Sequence, residues 1–393
     1  MAFYTSSESS SSTDSSVTET FTPVLRISTQ SLNAKYNPFF TTKKPNYLFP
    51  IRSDISQWCE QYENFEFSET ETLAVKTMRL KSTQYVFDNR EVEFILNVPY
   101  HPNLLRVYEM FIDPTLGTVN IVMECMYTSL HSYIDQAKTE VDCFSPEENA
   151  SYLSLPQIRS ILRQLLQAIK HTHEHGYVHR DIKPANILLA PREKYYKGCP
   201  GVTPYPDLIS FQDDEMVLKL ADYGVSKQST EEYIENPYTV GTIPYMPPEI
   251  LCHSHTHGTE VDIWSFGCII YDLVFGERLF KCKDETATVS GMLEVLGSPV
   301  QYGRSSTFLG MEEPEPAFGY WKDSKELIIQ TGVNPYKFNT KSMSSVDELF
   351  YGSPLFEEPD FHLLVKVFNS CLMWDPKRRG TAEELLQMPF FNN

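Results

Sequence analysis

His179-Arg180-Asp181-Ile182-Lys183-Pro184-Ala185-Asn186, with Asp222-Tyr223-Gly224 further downstream, is the stretch that decides the fold of this chain. The eight-residue run is polar and carries a proline. Tyr177-Val178 precedes it and the apolar Ile187-Leu188-Leu189 follows, so it reads as a loop feeding a strand. Upstream, Ile158, Ile161, Leu162, Leu165, Leu166 and Ile169 recur at three-and-four spacing, which predicts a helix that Gly176 can end. Two carboxylates and a carboxamide are thereby carried on loops between regular elements.

The run resembles the catalytic loop of eukaryotic protein kinases, and Asp222-Tyr223-Gly224 resembles their metal-binding turn. The resemblance implies an α+β, bilobal protein kinase-like fold, with a small β-sheet lobe bearing one helix and a larger, mainly helical lobe. The kinase domain is expected over 47–391, with the small lobe at 47–124 and the large lobe at 127–391. It implies transfer of the γ-phosphate of ATP, with Mg2+, to serine or threonine of protein substrates. In that chemistry Asp181 orients and deprotonates the attacking hydroxyl, Lys183 stabilises the transferring phosphate, and Asn186 and Asp222 hold magnesium.

Further motifs extend the resemblance. Thr72-Leu73-Ala74-Val75-Lys76 resembles the small-lobe strand whose lysine holds the α and β phosphates, and strand alternation points Ala74 and Lys76 to one face. The acidic partner of Lys76 belongs on the next helix, Arg90 to Val98. Glu91 fits because Phe94, Ile95 and Val98 follow it at three, four and seven residues, and Glu93 is the alternative. Ile121-Val122-Met123-Glu124-Cys125-Met126 resembles the strand entering the hinge, which implies Met123 behind the adenine and main-chain groups of Glu124 and Met126 at its edge. Gly241-Thr242-Ile243-Pro244-Tyr245-Met246-Pro247-Pro248-Glu249 resembles the end of an activation segment. Thr242 is then expected to bond Asp181 and Lys183, Glu249 to pair with Arg379, and Asp262 to brace the catalytic-loop backbone. Arg180 beside Asp181 suggests an upstream activating kinase that phosphorylates Tyr238 or Thr239.

The chain also departs from the pattern. Its first glycine is Gly117, so the glycine-rich hairpin expected at roughly Ser53 to Phe67 is absent. Losing one or two backbone bonds to phosphate lowers ATP affinity by roughly ten-fold to several thousand-fold. A pseudokinase, the same fold used as a binding or allosteric scaffold with weak or no turnover, is therefore the alternative function. Tyr223 stands where the family commonly has Phe, a change expected to matter little. Residues 190–215 form a longer separation than usual before the metal-binding turn. The stretch from Asp284 to about Pro359 resembles the cyclin-dependent and mitogen-activated group, but Met246 follows Tyr245 where that group has Arg, so proline-directed specificity is not supported.

Length and composition set the remaining bounds. The 393 residues suffice for two lobes, and the formal charge of −19 disfavours nucleic acid and anionic membrane as direct partners. No nucleic acid and no membrane are expected. Eight scattered cysteines, none in a Cys-x-x-Cys pair, suit reduced thiols and a cytoplasmic or nuclear protein. Residues 1–25 are dominated by Ser, Thr and Glu, a composition expected to stay disordered. Cys252-His253-Ser254-His255-Thr256-His257 and the cluster His171, His173 and His175 lack paired zinc-site spacing, and structural roles are expected for both.

Overall fold

The computed structural model describes residues 19–21, 73–79, 90–113, 118–144, 152–191, 216–229, 234–235, 240–252, 256–296 and 349–392. Two compact units divide the chain: 1–128 with 188–224, and 129–187 with 225–393. The large lobe expected as one stretch from residue 127 is therefore interrupted, because Leu188–Gly224 belongs with the first unit. Main-chain bonds explain it. Tyr127 N–H donates to Leu189 O (3.0 Å), Leu105 N–H to Leu220 O (2.8 Å), and Leu220 N–H to Asn103 O (2.8 Å).

The first unit holds an antiparallel sheet in the order β1-β2-β4-β3, made of β1 (Glu19–Phe21), β2 (Leu73–Arg79), β3 (Val107–Asp113) and β4 (Thr118–Glu124). Helix α1 (Arg90–Asn97) carries Glu91 and Glu93 in its first turn, where carboxylates complement the helix dipole. Its Val92 and Ile95 join Met78, Val107, Val119, Ile121 and Met123 in one apolar core. Strands β5 (Ile187–Pro191) and β6 (Met216–Leu220) pair in a second, smaller sheet.

One sequence expectation is corrected here. Glu19–Phe21, inside the tail read as disordered, forms β1 and pairs with β2 in the register Glu19↔Met78, Thr20↔Thr77 and Phe21↔Lys76. An edge strand presents unpaired main-chain groups, and main-chain pairing is indifferent to the polar composition that argued for disorder. The hairpin region at 53–67 and the insertion at 192–215 lie outside the described residues.

The second unit is mainly helical: α2 (Leu130–Phe144), α3 (Leu155–Glu174), α4 (Glu260–Phe275), α5 (Glu285–Leu296), α6 (Phe361–Cys371) and α7 (Ala382–Leu386). Ser154 starts α3 through a reciprocal capping box with Gln157, and the apolar stripe from Ile158 to Ile169 is buried. Gly176, at φ 73°, lies just beyond its end. Helix α4 is apolar on nearly every side and buried along most of its length, as a central core helix must be.

Candidate active site

In the first unit the site is built on β2, α1 and the turn after β6. Lys76 Nζ lies 2.8 Å from Glu91 Oε2 and 3.0 Å from Asp222 Oδ1. Lys76 and Glu91 are 3% and 4% exposed, so each charge depends on the other for solvation. The choice between Glu91 and Glu93 thus falls to Glu91, whose helix face is fixed by the buried Phe94, Ile95 and Val98. Asp222 has φ 66°, a left-handed conformation rare for a residue with a Cβ and typical of strained functional turns. Its carboxylate remains about one third exposed, an oxygen donor suited to a hard cation.

Tyr223 does more than fill space. Its ring stacks on Phe94 at a centroid distance of 3.9 Å, its hydroxyl donates to Leu220 O (2.6 Å), and it accepts from Leu105 N–H (3.3 Å). Beyond the aromatic ring that Phe would also supply, the hydroxyl ties the Asp222-Tyr223-Gly224 turn to the segment before β3. Burial pushes this phenol far above its usual range, so it acts as a permanent donor.

In the second unit, Asp181 Oδ1 accepts from Thr242 Oγ1 (2.6 Å), and Asp181 Oδ2 lies 3.0 Å from Lys183 Nζ, which also donates to Thr242 Oγ1 (2.8 Å). Asn186 Nδ2 donates to Asp181 O (2.9 Å) and Oδ2 (3.1 Å), bonds that do not engage its amide oxygen. The four side chains that the sequence brought forward are thus one connected group. Arg180 has φ 68°, and Asp262 secures that turn by accepting from His179 N–H (2.9 Å) and Arg180 N–H (2.8 Å). Asp262 is fully buried, which by itself raises its pKa. The bond to His173 (2.8 Å) and the His179 neighbourhood outweigh burial and hold the carboxyl below its ordinary value. His173 therefore has the structural role expected of it. Gly241 sits at φ 115°, and a Cβ there would come 2.6 Å from Arg180 O, so only glycine lets the chain pass.

The expected Glu249–Arg379 pair is bidentate, at 2.6 and 2.7 Å, and Arg379 stacks 4.9 Å over Trp264. Met123 is buried at the end of β4 and Met126 is half-buried. Glu124, brought forward for its main chain, also buries its side chain against Lys219 (3.1 Å), a pairing that sequence reasoning missed.

Of two more buried groups, His257 was expected to be structural and Asp272 went unread. His257, beside a small cavity that Arg180, Asp181 and Thr242 also line, is held neutral at about pKa 4 by burial and by the Arg180 charge. Asp272 on α4 accepts the Tyr245 hydroxyl (2.6 Å), and burial pushes its carboxyl up to about 7 against that bond, Arg278 and the Leu279 main chain. Its folded pKa thus exceeds its unfolded value of about 3.9. The protonated form is favoured in the fold, and that stabilisation is present below about pH 4 and lost as pH rises through 7. Asp272→Asn should accordingly lose this dependence. We expect its thermal midpoint to gain on wild type by several degrees between pH 5 and pH 8, and parallel pH–stability curves would contradict this.

An α+β chain with a Lys–Glu–Asp cluster in one unit and an Asp–Lys–Asn–Thr cluster in the other carries the residue set of the protein kinase class. Comparison bears this out: the family model of the protein kinase domain matches residues 59–391, and the chain belongs to that family. The chain is 34% identical over 337 residues to the meiosis induction protein kinase IME2/SME1 of Saccharomyces cerevisiae, covering 84% of this chain and 47% of that one. It is 27% identical to the sporulation protein kinase mde3 of Schizosaccharomyces pombe, covering 80% and 48%. The chain thus spans about half the length of either relative. The yeast RNA Pol II CTD kinase CTDK-1 complex contains a chain of the same fold, with a TM-score of 0.59 at 20% identity, covering 82% of this chain and 86% of that one.

Proposed function

We propose that this chain is a protein serine/threonine kinase that transfers the γ-phosphate of ATP to hydroxyls of protein substrates. The observation that carries the reading is the triangle of Asp181, Lys183 and Thr242. It holds a carboxylate ready to accept a hydroxyl proton and a cation ready to meet a phosphoryl oxygen. Protein kinases use ATP and Mg2+, and the residues here fit both. Lys76, locked by Glu91, is suited to the α and β phosphates, while the Asp222 carboxylate in the first unit and the Asn186 amide oxygen in the second are each an oxygen donor of the kind magnesium takes. Magnesium, when bound, would offset phosphate charge.

The alternative of a silent scaffold finds no support. Lys76, Glu91, Asp181, Asn186 and Asp222 are all present, and the relatives are named as protein kinases. A thermal-shift measurement with Mg-ATP, followed by single-turnover transfer to a generic Ser/Thr acceptor, tests the reading. No transfer from wild type would sink it.

The finer parts of the proposal concern partners and place. Arg180 Nε donates to Val225 O (2.7 Å), which positions the guanidinium beside the catalytic Asp. An upstream kinase acting on Tyr238 or Thr239, both outside the described residues, would add an anion for it. Replacing both by Phe and Ala should lower activity at least tenfold, and unchanged activity would dispose of the idea. Protein substrates, without nucleic acid or membrane, are consistent with the charge of −19. Among the described residues no helix is long and apolar enough to cross a membrane. Among the described residues Cys268, Cys282 and Cys371 are free thiols, which supports a cytoplasmic or nuclear setting.

A further inference from the structure

Strand β6 is buried at every position, and such strands ordinarily read as unbroken apolar runs. Lys219 breaks the run. Its side chain is wholly buried, and burial lowers its pKa while Glu124 opposes that shift. An apolar residue would fill the space with no desolvation cost, so stability alone does not account for a lysine here. A charged group set against the local pattern marks a position where geometry outranks stability.

The geometry is specific. Lys219 Nζ lies 3.1 Å from Glu124 Oε1 and 5.7 Å from the centre of the Tyr100 ring. The same Glu124 oxygen accepts Arg106 N–H at 2.6 Å, and Glu124 N–H donates to Arg106 O at 3.0 Å. Glu124 is thus fixed through its main chain and its side chain at the point where β4 ends. Tyr127, three residues on, is fixed to Leu189 O. Only Cys125 and Met126 lie between these anchors. At the other end of the contact, β6 is pinned through Leu218 and Leu220 to Asn103 and Leu105, and Asp222, which accepts Lys76, follows Lys219 by three residues.

We infer that Lys219 is a positioning residue for the nucleotide, its ion pair with Glu124 setting the strand end that meets the adenine edge in register with the strand that delivers Asp222. This rests on the kinase reading, which places Glu124 and Met126 main-chain groups at the adenine. A slip of one residue in β6 would shift Asp222 by about 3.3 Å along the strand and would separate Lys219 from Glu124. The pair therefore penalises the misregistered arrangement.

The test removes both charges at once. In Glu124→Gln/Lys219→Met, the glutamine oxygen still accepts Arg106 N–H and the methionine keeps the volume, so no lone charge is buried. Affinity for a non-hydrolysable ATP analogue with magnesium is measured by calorimetry, alongside KM for ATP, kcat and the thermal midpoint. We expect analogue affinity to fall and KM to rise by about tenfold, the equivalent of one hydrogen bond. The kcat at saturating ATP should stay within about twofold, and the midpoint within a few degrees, of wild type. Unchanged affinity overturns the inference, and so does a joint fall of affinity, kcat and midpoint, which would show packing alone. A wild type that binds the analogue but transfers nothing sinks the kinase reading only, with the pair still judged on affinity. A wild type that does not bind overturns both.

Discussion

Asp181→Asn should lower kcat by about a thousandfold while leaving the affinity for Mg-ATP within about twofold of wild type. The substitution keeps an oxygen for Thr242 Oγ1, now 2.6 Å from Asp181 Oδ1, and keeps the volume between Lys183 and Asn186. What it removes is the negative charge that can take the proton of an attacking hydroxyl. A thousandfold corresponds to about 4 kcal/mol of barrier, within the range that a positioned base supplies. Lys76 and Glu91 lie in the other unit and are untouched, so nucleotide binding reports separately from chemistry. Phosphate transfer that survives the substitution would remove Asp181 from the mechanism, and with it the observation on which the proposed function stands.

That such a prediction is available from sequence reflects where the chemistry is written. Asp181, Lys183 and Asn186 fall within six positions, so their mutual geometry is mostly local and a motif captures it. Glu91 was legible for a different reason: periodicity chose the helix face, and a buried Lys76 admits only a partner on that face.

Groups whose role depends on strands meeting at a distance were invisible. Nothing around Lys219 in Met216-Val217-Leu218-Lys219-Leu220 announces that Glu124 waits opposite, since only the folded first unit brings β4 and β6 together. The same holds for Asp272, whose position in an apolar helix gives no hint of the Tyr245 hydroxyl. Helix α2 is another matter. Leu130, Tyr133, Ile134 and Ala137 recur at helical spacing and are buried, so its signal was present and went unread. β1 shows the opposite limit, because an edge-strand pairing is made by the main chain and composition does not encode it.

Arg379→Met should destabilise the second unit by about 3–5 kcal/mol, the cost of stranding a buried charge. Glu249 and Arg379 expose 3% and 0% of their side chains, so water cannot solvate Glu249 once its partner is gone. Arg379 also donates to Met373 O (2.9 Å) and Glu260 O (3.1 Å), tying the segment after α6 to the start of α4. Those two carbonyls lose their donors in the variant. The second substitution, Glu249→Leu, removes the stranded carboxylate but restores neither carbonyl. Glu249→Leu/Arg379→Met should therefore recover part of the loss, and the unrecovered part measures what the guanidinium does beyond pairing. Urea unfolding of the full chain gives both numbers, provided the slope with denaturant is unchanged. A single variant within about 1 kcal/mol of wild type would mean that the carboxylate is protonated or hydrated when alone. Because Glu249 lies four residues after Tyr245 and seven after Thr242, the single variant should also lose phosphate transfer before it unfolds. The double variant should regain transfer in proportion to the stability it regains, since its Asp181, Lys183 and Thr242 are unaltered.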